Sequence, residues 1–113
     1  MLRIRKEQLQ LFQDQARVVF EERVSANLQE CFPDECNALG PQGLRETVRV
    51  AIERAESHGL ETEYDVQRYC NVAFALGLDF DTQFAWAAEL LADTELAAES
   101  RVSELCERAE DEP

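Results

Sequence analysis

The chain has 113 residues, 45% hydrophobic and 31% charged, with a net charge of −13, a size and balance that suit one domain with a single modest core. Charge is uneven along it: residues 1–56 carry eight Lys/Arg against ten Asp/Glu, whereas residues 57–113 carry three against fourteen. A field of that sign repels phosphate backbones and anionic membrane surfaces, so nucleic acid and membrane are excluded as expected partners and a protein with a basic surface is favoured.

Apolar residues recur at helical spacing in every long segment, and no segment sustains two-residue alternation with β-branched enrichment. The expectation is an all-α fold of about five amphipathic helices in a small bundle, a single domain over residues 1–109 followed by a frayed acidic tail at 110–113. No apolar run approaches the roughly 20 residues that span a bilayer, and Met1-Leu2-Arg3-Ile4-Arg5-Lys6-Glu7 leads into polar residues rather than a signal core, so a cytoplasmic protein is expected.

The first helix is expected from about Arg5 to Cys31, with Leu9, Phe12, Ala16, Val19, Phe20 and Leu28 on its apolar stripe and Pro33 ending it. At 1.5 Å per residue such a helix is about 39 Å long, against a diameter of about 34 Å for a compact chain of this size. Its N-terminal end, where Leu2, Ile4 and Leu11 mix with Arg3, Arg5 and Lys6, is therefore expected to overhang the core. Residues 32–40 read as a connector with room for one helical turn after Pro33. Gly40-Pro41 starts the second helix, which carries Leu44, Val48, Ala51, Ile52 and Ala55 inward and ends at Gly59.

Thr62 with Asp65 three residues on has the form of a capping box for a third helix, which buries Val66, Tyr69, Cys70, Ala73 and Phe74 and closes at Gly77. Asp81 or Thr82 is expected to cap a fourth helix through Phe84, Trp86, Ala87, Leu90 and Leu91, and Asp93 or Thr94 a fifth with Ala98, Val102, Leu105, Cys106 and Ala109 on its stripe. The expected core comprises Phe20, Leu28, Leu44, Val48, Ile52, Val66, Tyr69, Phe74, Trp86 and Leu90.

Catalytic patterns are sparse. The one histidine, His58, stands beside Gly59 at an expected helix C-terminus, a position that suits an imidazole against the negative end of the helix dipole. No Gly-x-Ser-x-Gly elbow, glycine-rich phosphate loop or thiol-enzyme pattern occurs. Cys31 and Cys36 are five apart, but Cys70 and Cys106 are isolated in sequence and supply no second ligand pair for zinc, so the four thiols read as reduced and mostly small core residues. Asp79-Phe80-Asp81 lacks the remaining ligands, the glycine and the terminal glutamate of a calcium loop. The reading is a protein that is no enzyme, with no cofactor, metal ligand or catalytic residue.

Ile4-Arg5-Lys6-Glu7-Gln8 with Phe12, Phe20-Glu21-Glu22-Arg23, Phe32-Pro33 with Cys36 and Leu39-Gly40, Ile52-Glu53-Arg54-Ala55 before Gly59, Tyr69, and Gly77 with Asp79-Phe80-Asp81 and Trp86-Ala87 resemble a group of small uncharacterised bacterial proteins. Those proteins are encoded beside type VI secretion spike, PAAR-tip, effector and adaptor-chaperone genes, and the resemblance spans roughly residues 4–93. It implies a non-enzymatic co-adaptor or co-chaperone that binds a larger adaptor chaperone or an effector protein and helps load the effector onto the spike. The alternative reading is an immunity protein or acidic inhibitor that blocks a toxin or a basic surface. In either case the contact surface expected from the residues is Leu2, Ile4, Leu11 and Phe12 for apolar contact, with Glu95, Glu99 and Glu104 as acidic rim.

Overall fold

Six helices make up the described part of the chain, residues 6–112 of a computed structural model, the side chains of Glu7, Gln8 and Phe12 excepted. They are α1 (Lys6–Cys31), α2 (Pro33–Ser57), α3 (Glu63–Leu76), α4 (Phe80–Gln83), α5 (Ala85–Ala92) and α6 (Ala98–Asp111). The fold is all-α with a long N-terminal helix, and five of the helices are of substantial length, with α4 a single turn.

α1 and α2 pack against each other as a hairpin across Phe32 and Pro33, α3 packs on both, and α6 lies against α3. Proline at the first position of α2 loses no helical bond there. The expected connector over residues 32–40 is helical instead, and α2 kinks at Gly40, whose φ of 74° and ψ of 169° fall in a region that is essentially reserved for glycine. Pro41 lacks an N–H, and the kink falls at the residue before it, where the ring clashes with helical geometry.

α3 begins as its sequence predicts: Thr62 is the N-cap and its Oγ1 accepts from the Asp65 backbone N–H at 3.1 Å. The expected caps of the last two long helices are not used. Asp81 turns its Oδ2 toward His58 and Thr82 donates to the Asp79 carbonyl, so the single expected helix is divided at Phe84, which is extended, into α4 and α5. Asp93 accepts from the Glu95 N–H in a local turn, and α6 starts five residues later, at Ala98, without a side-chain cap. The acidic end is helical through Asp111, and Glu112 accepts a hydrogen bond from the Trp86 indole at 2.8 Å.

Val24, Leu28, Leu44, Val48, Ile52, Tyr69, Phe80, Val102 and Leu105 form the centre of the core. Phe20, Phe74 and Trp86, expected inside, are half-buried at its edge. The larger departure is in α1, where Leu9, Ala16 and Val19 are exposed and Val24 takes the buried place. The helix is rotated so that Arg17, Glu21, Val24 and Leu28 face its neighbours. That rotation satisfies two ion pairs, the bidentate Arg17–Glu56 contact at 2.7 and 2.9 Å and Glu21–Arg49 at 3.3 Å.

The molecule measures 56 × 38 × 19 Å with a radius of gyration of 15.6 Å, larger than the roughly 13 Å of a compact chain of this length. From Lys6 to Ala16 every described side chain is exposed, and the first fully buried residue of α1 is Val24. The N-terminal half of α1 thus lies outside the core, as its estimated length implies. No helix among the described residues is long and apolar enough to cross a membrane.

Candidate functional site

Two regions stand out against this packing, a polar cluster under the α2 C-terminus and the uncovered half of α1. In the first, His58 Nε2 lies 2.9 Å from Asp81 Oδ2, and the imidazole stacks obliquely on Tyr69, which in turn meets Phe80. Arg54 donates to Asp79 and to the Leu78 carbonyl. Arg101, only 8% exposed, sends one guanidinium nitrogen to the carbonyls of His58 at 3.0 Å and Leu91 at 2.9 Å. These carbonyls belong to the C-terminal ends of α2 and α5, so the cation neutralises two helix dipoles at once.

Burial, with the Asp81 carboxylate beside it, pushes the Tyr69 hydroxyl up, although the geometry of the two groups falls short of a hydrogen bond. The cluster has a histidine, a carboxylate and a phenol together, and His58, Tyr69 and Asp81 stand apart from the walls of the grooves along α1. Its contacts tie the end of α2 to α4, α5 and α6. His58 stands at the C-terminal end of α2, the place the sequence reading gave it.

The cysteines are all free thiols. Cys36 and Cys70 are buried, and desolvation pushes Cys36 up and Cys70 up to about 12, which removes the thiolate that nucleophilic chemistry uses. Cys31 is exposed. Among the described residues no three His, Cys, Asp or Glu side chains gather in a metal-binding group.

The second region is apolar and open. Leu9 is 49% exposed, Leu11 58%, Val18 48% and Val19 46%. They occupy two faces: Leu11 and Val18, seven residues apart, lie on one, and Leu9, Ala16 and Val19 on another, roughly 130° around the axis at about 100° per residue. Val18 opens into a groove of about 270 Å³ between α1 and α2, walled by Glu22, Ala26, Leu44, Arg45 and Arg49. Ala16 borders a second groove, about 390 Å³, whose walls include Phe20, Val66, Glu61, Glu63 and the paired Arg17 and Glu56.

Of the contact residues expected from sequence, Leu2 and Ile4 lie outside the described residues, as does the Phe12 side chain, and Leu11 is among the most exposed large apolar residues described. Glu95 and Glu99 are exposed in the turn before α6 and its first helical turn. Glu104 is half-buried and paired with Arg108 at 3.2 Å, so the three carboxylates do not form one uniform rim. Val18, Leu9 and Val19 are surface residues that the sequence reading did not place in the contact surface. The signal was present, since α1 carries more large apolar residues than one buried stripe accommodates. Comparison with protein-family models, with curated proteins and with solved structures returns no match.

Proposed function

We propose that this chain is a non-enzymatic accessory interaction protein, a co-adaptor or co-chaperone that binds a type VI secretion adaptor chaperone or effector module through the projecting half of α1. The observation that carries the reading is the exposure of Leu11 and Val18 on the stretch of α1 that precedes its first fully buried described residue, Val24. Uncovered apolar side chains beside a groove are a surface from which a partner removes water, and hot-spot contacts come from such places. The Glu95 and Glu99 side chains add acidic charge that draws a basic partner surface, and the sequence resemblance set out above supports the secretion apparatus as its source.

Co-purification of the tagged chain with the products of its neighbouring genes tests this. A stable complex with an adaptor or effector is expected, weakened at least tenfold by Leu11→Asp, which corresponds to about 1.4 kcal/mol. Reversing Glu95, Glu99 and Glu104 to Lys should slow association and reduce its salt dependence while leaving dissociation nearly unchanged. Binding to none of the neighbouring products, with effector delivery intact after deletion, would overturn the secretion reading. Binding to a toxin's active site with loss of self-protection on deletion would replace it with the immunity reading.

A further inference from the structure

Away from α1, we infer that the cleft between α5 and α6 around Trp86 binds a basic peptide segment of a partner protein, an apolar side chain flanked by lysines or arginines. Two cavities of about 220 and 230 Å³ share Trp86 and Arg108 as walls. Pockets for small-molecule ligands run from roughly 300 Å³ upward, so each of these suits a side chain rather than a cofactor. The larger is also bounded by Leu90 and Leu96, and Leu96 is 36% exposed in the turn before α6. Trp86 is half-buried, its indole N–H donates to Glu112 and its ring meets Phe84, so it is held in place before a partner arrives. A fixed tryptophan beside aliphatic side chains is the kind of anchor on which interface hot spots form.

Charge decides which segment fits. Glu89, Asp93 and Glu104 wall one cavity and Asp111 and Glu112 the other, against the guanidinium of Arg108. Glu104 is paired with Arg108 at 3.2 Å, and Glu112 is engaged by the indole. Glu89, Asp93 and Asp111 are exposed, and no ion pair among the described residues engages them. The imbalance extends along both helices: residues 85–112 contain nine Asp/Glu and two Lys/Arg, and one of the two, Arg101, is buried against backbone carbonyls. Arg108 also shows what the indole accepts, since its guanidinium lies 5.8 Å from the centre of the Trp86 ring, within reach of a cation–π contact. The cleft thus supplies one cation of its own and leaves three carboxylates for those of a partner. An acidic segment would meet repulsion on every wall but Arg108, and a purely apolar one would strip water from Glu89, Asp93 and Asp111 without replacing it.

Trp86 is the only tryptophan of the chain, so its fluorescence reads this cleft and no other. Titrating the full chain with a synthetic peptide of alternating lysine and leucine pairs should give a saturable change in Trp86 emission, weaker as salt is raised. Glu89→Lys with Asp93→Lys should weaken binding by about tenfold or more, and so should Leu96→Ser, which alters no charge. These three sites are exposed, so the circular dichroism of the variants should match that of the parent. A lysine–serine peptide of equal charge should also bind roughly tenfold more weakly, for want of an apolar anchor. Glu30→Lys with Glu53→Lys makes the same change of charge at exposed positions of α1 and α2 and should leave the affinity close to that of the parent. Arg108→Gln should tighten binding, because it removes the competing cation and frees Glu104. An unchanged Trp86 emission, equal binding of the two peptides, equal loss from the Glu30 and Glu53 pair, or weaker binding by Arg108→Gln would overturn the inference. Leu11→Asp lies on α1 and should leave peptide binding unchanged, so a chain that binds the peptide but not its adaptor, or the reverse, separates failure here from failure of the functional reading.

Discussion

Arg101 and Glu56 show how single charges fix the ends of helices in this protein. Arg101 is buried and hydrogen-bonded to two terminal carbonyls, and hydrogen bonds to charged groups contribute roughly 1.5–3 kcal/mol each before desolvation is subtracted. Arg101→Met should lower the unfolding free energy by about 2–3 kcal/mol in urea titrations; an unchanged midpoint would mean that desolvating the guanidinium cancels its bonds. Ile52, fully buried on α2, should cost about 2–5 kcal/mol when cut to Ala. Glu56 accepts both hydrogen bonds from Arg17, which holds its carboxyl below the usual 4.5. A depressed folded value means that this contribution is present above the unfolded value and is lost as pH falls through the folded one. Glu56 is 45% exposed, so solvent screens the pair and the effect is of order a few tenths of a kcal/mol. Stability measured from pH 6 down to pH 3 should fall slightly more steeply for the parent than for Glu56→Gln; parallel profiles would remove the pair from the acid response.

Helices whose boundaries rest on local chemistry were legible from the residues alone. Thr62 and Asp65 announce α3, and Gly59 and Gly77, both at positive φ, close α2 and α3 as read. The stripe of α6 was also legible, with Val102 and Leu105 buried and Ala98, Cys106 and Ala109 half-buried. What sequence did not reveal is which of several competing acceptors a side chain takes. Asp81 and Asp93 have the form of caps, but one is claimed by His58 across 23 positions and the other by its own turn. Likewise α1 offers more than one apolar face, and the one that turns inward carries Val24 and Leu28 into the core with the ion pairs to Glu56 and Arg49 beside them. Gly40 joins the two halves of α2 in a conformation with open space around it, so Gly40→Ala is penalised by backbone strain and not by collision. A loss of about 1–3 kcal/mol is expected in thermal or urea unfolding; a neutral result would show that the kink relaxes into a continuous helix.

Taken whole, the molecule is an acidic helical core from which half of one helix extends, and its extent of 56 Å along one axis reflects that extension. The contact surface was only partly legible in the sequence. Leu11 was, because nothing near it in the chain supplies a core; Leu9 and Val19 were not, because an apolar stripe reads the same whether it packs on its own chain or another. Glu104 looked like its acidic neighbours until Arg108 was seen beside it. The measurement that bears most directly on the central claim is equilibrium binding of the full chain to the adaptor or effector encoded beside it, compared with Leu11→Asp and Val18→Asp. Both sites are exposed, so both variants should unfold within about 0.5 kcal/mol of the parent yet bind at least tenfold more weakly. Variants that bind as tightly as the parent would contradict the claim that the projecting half of α1 is the binding element.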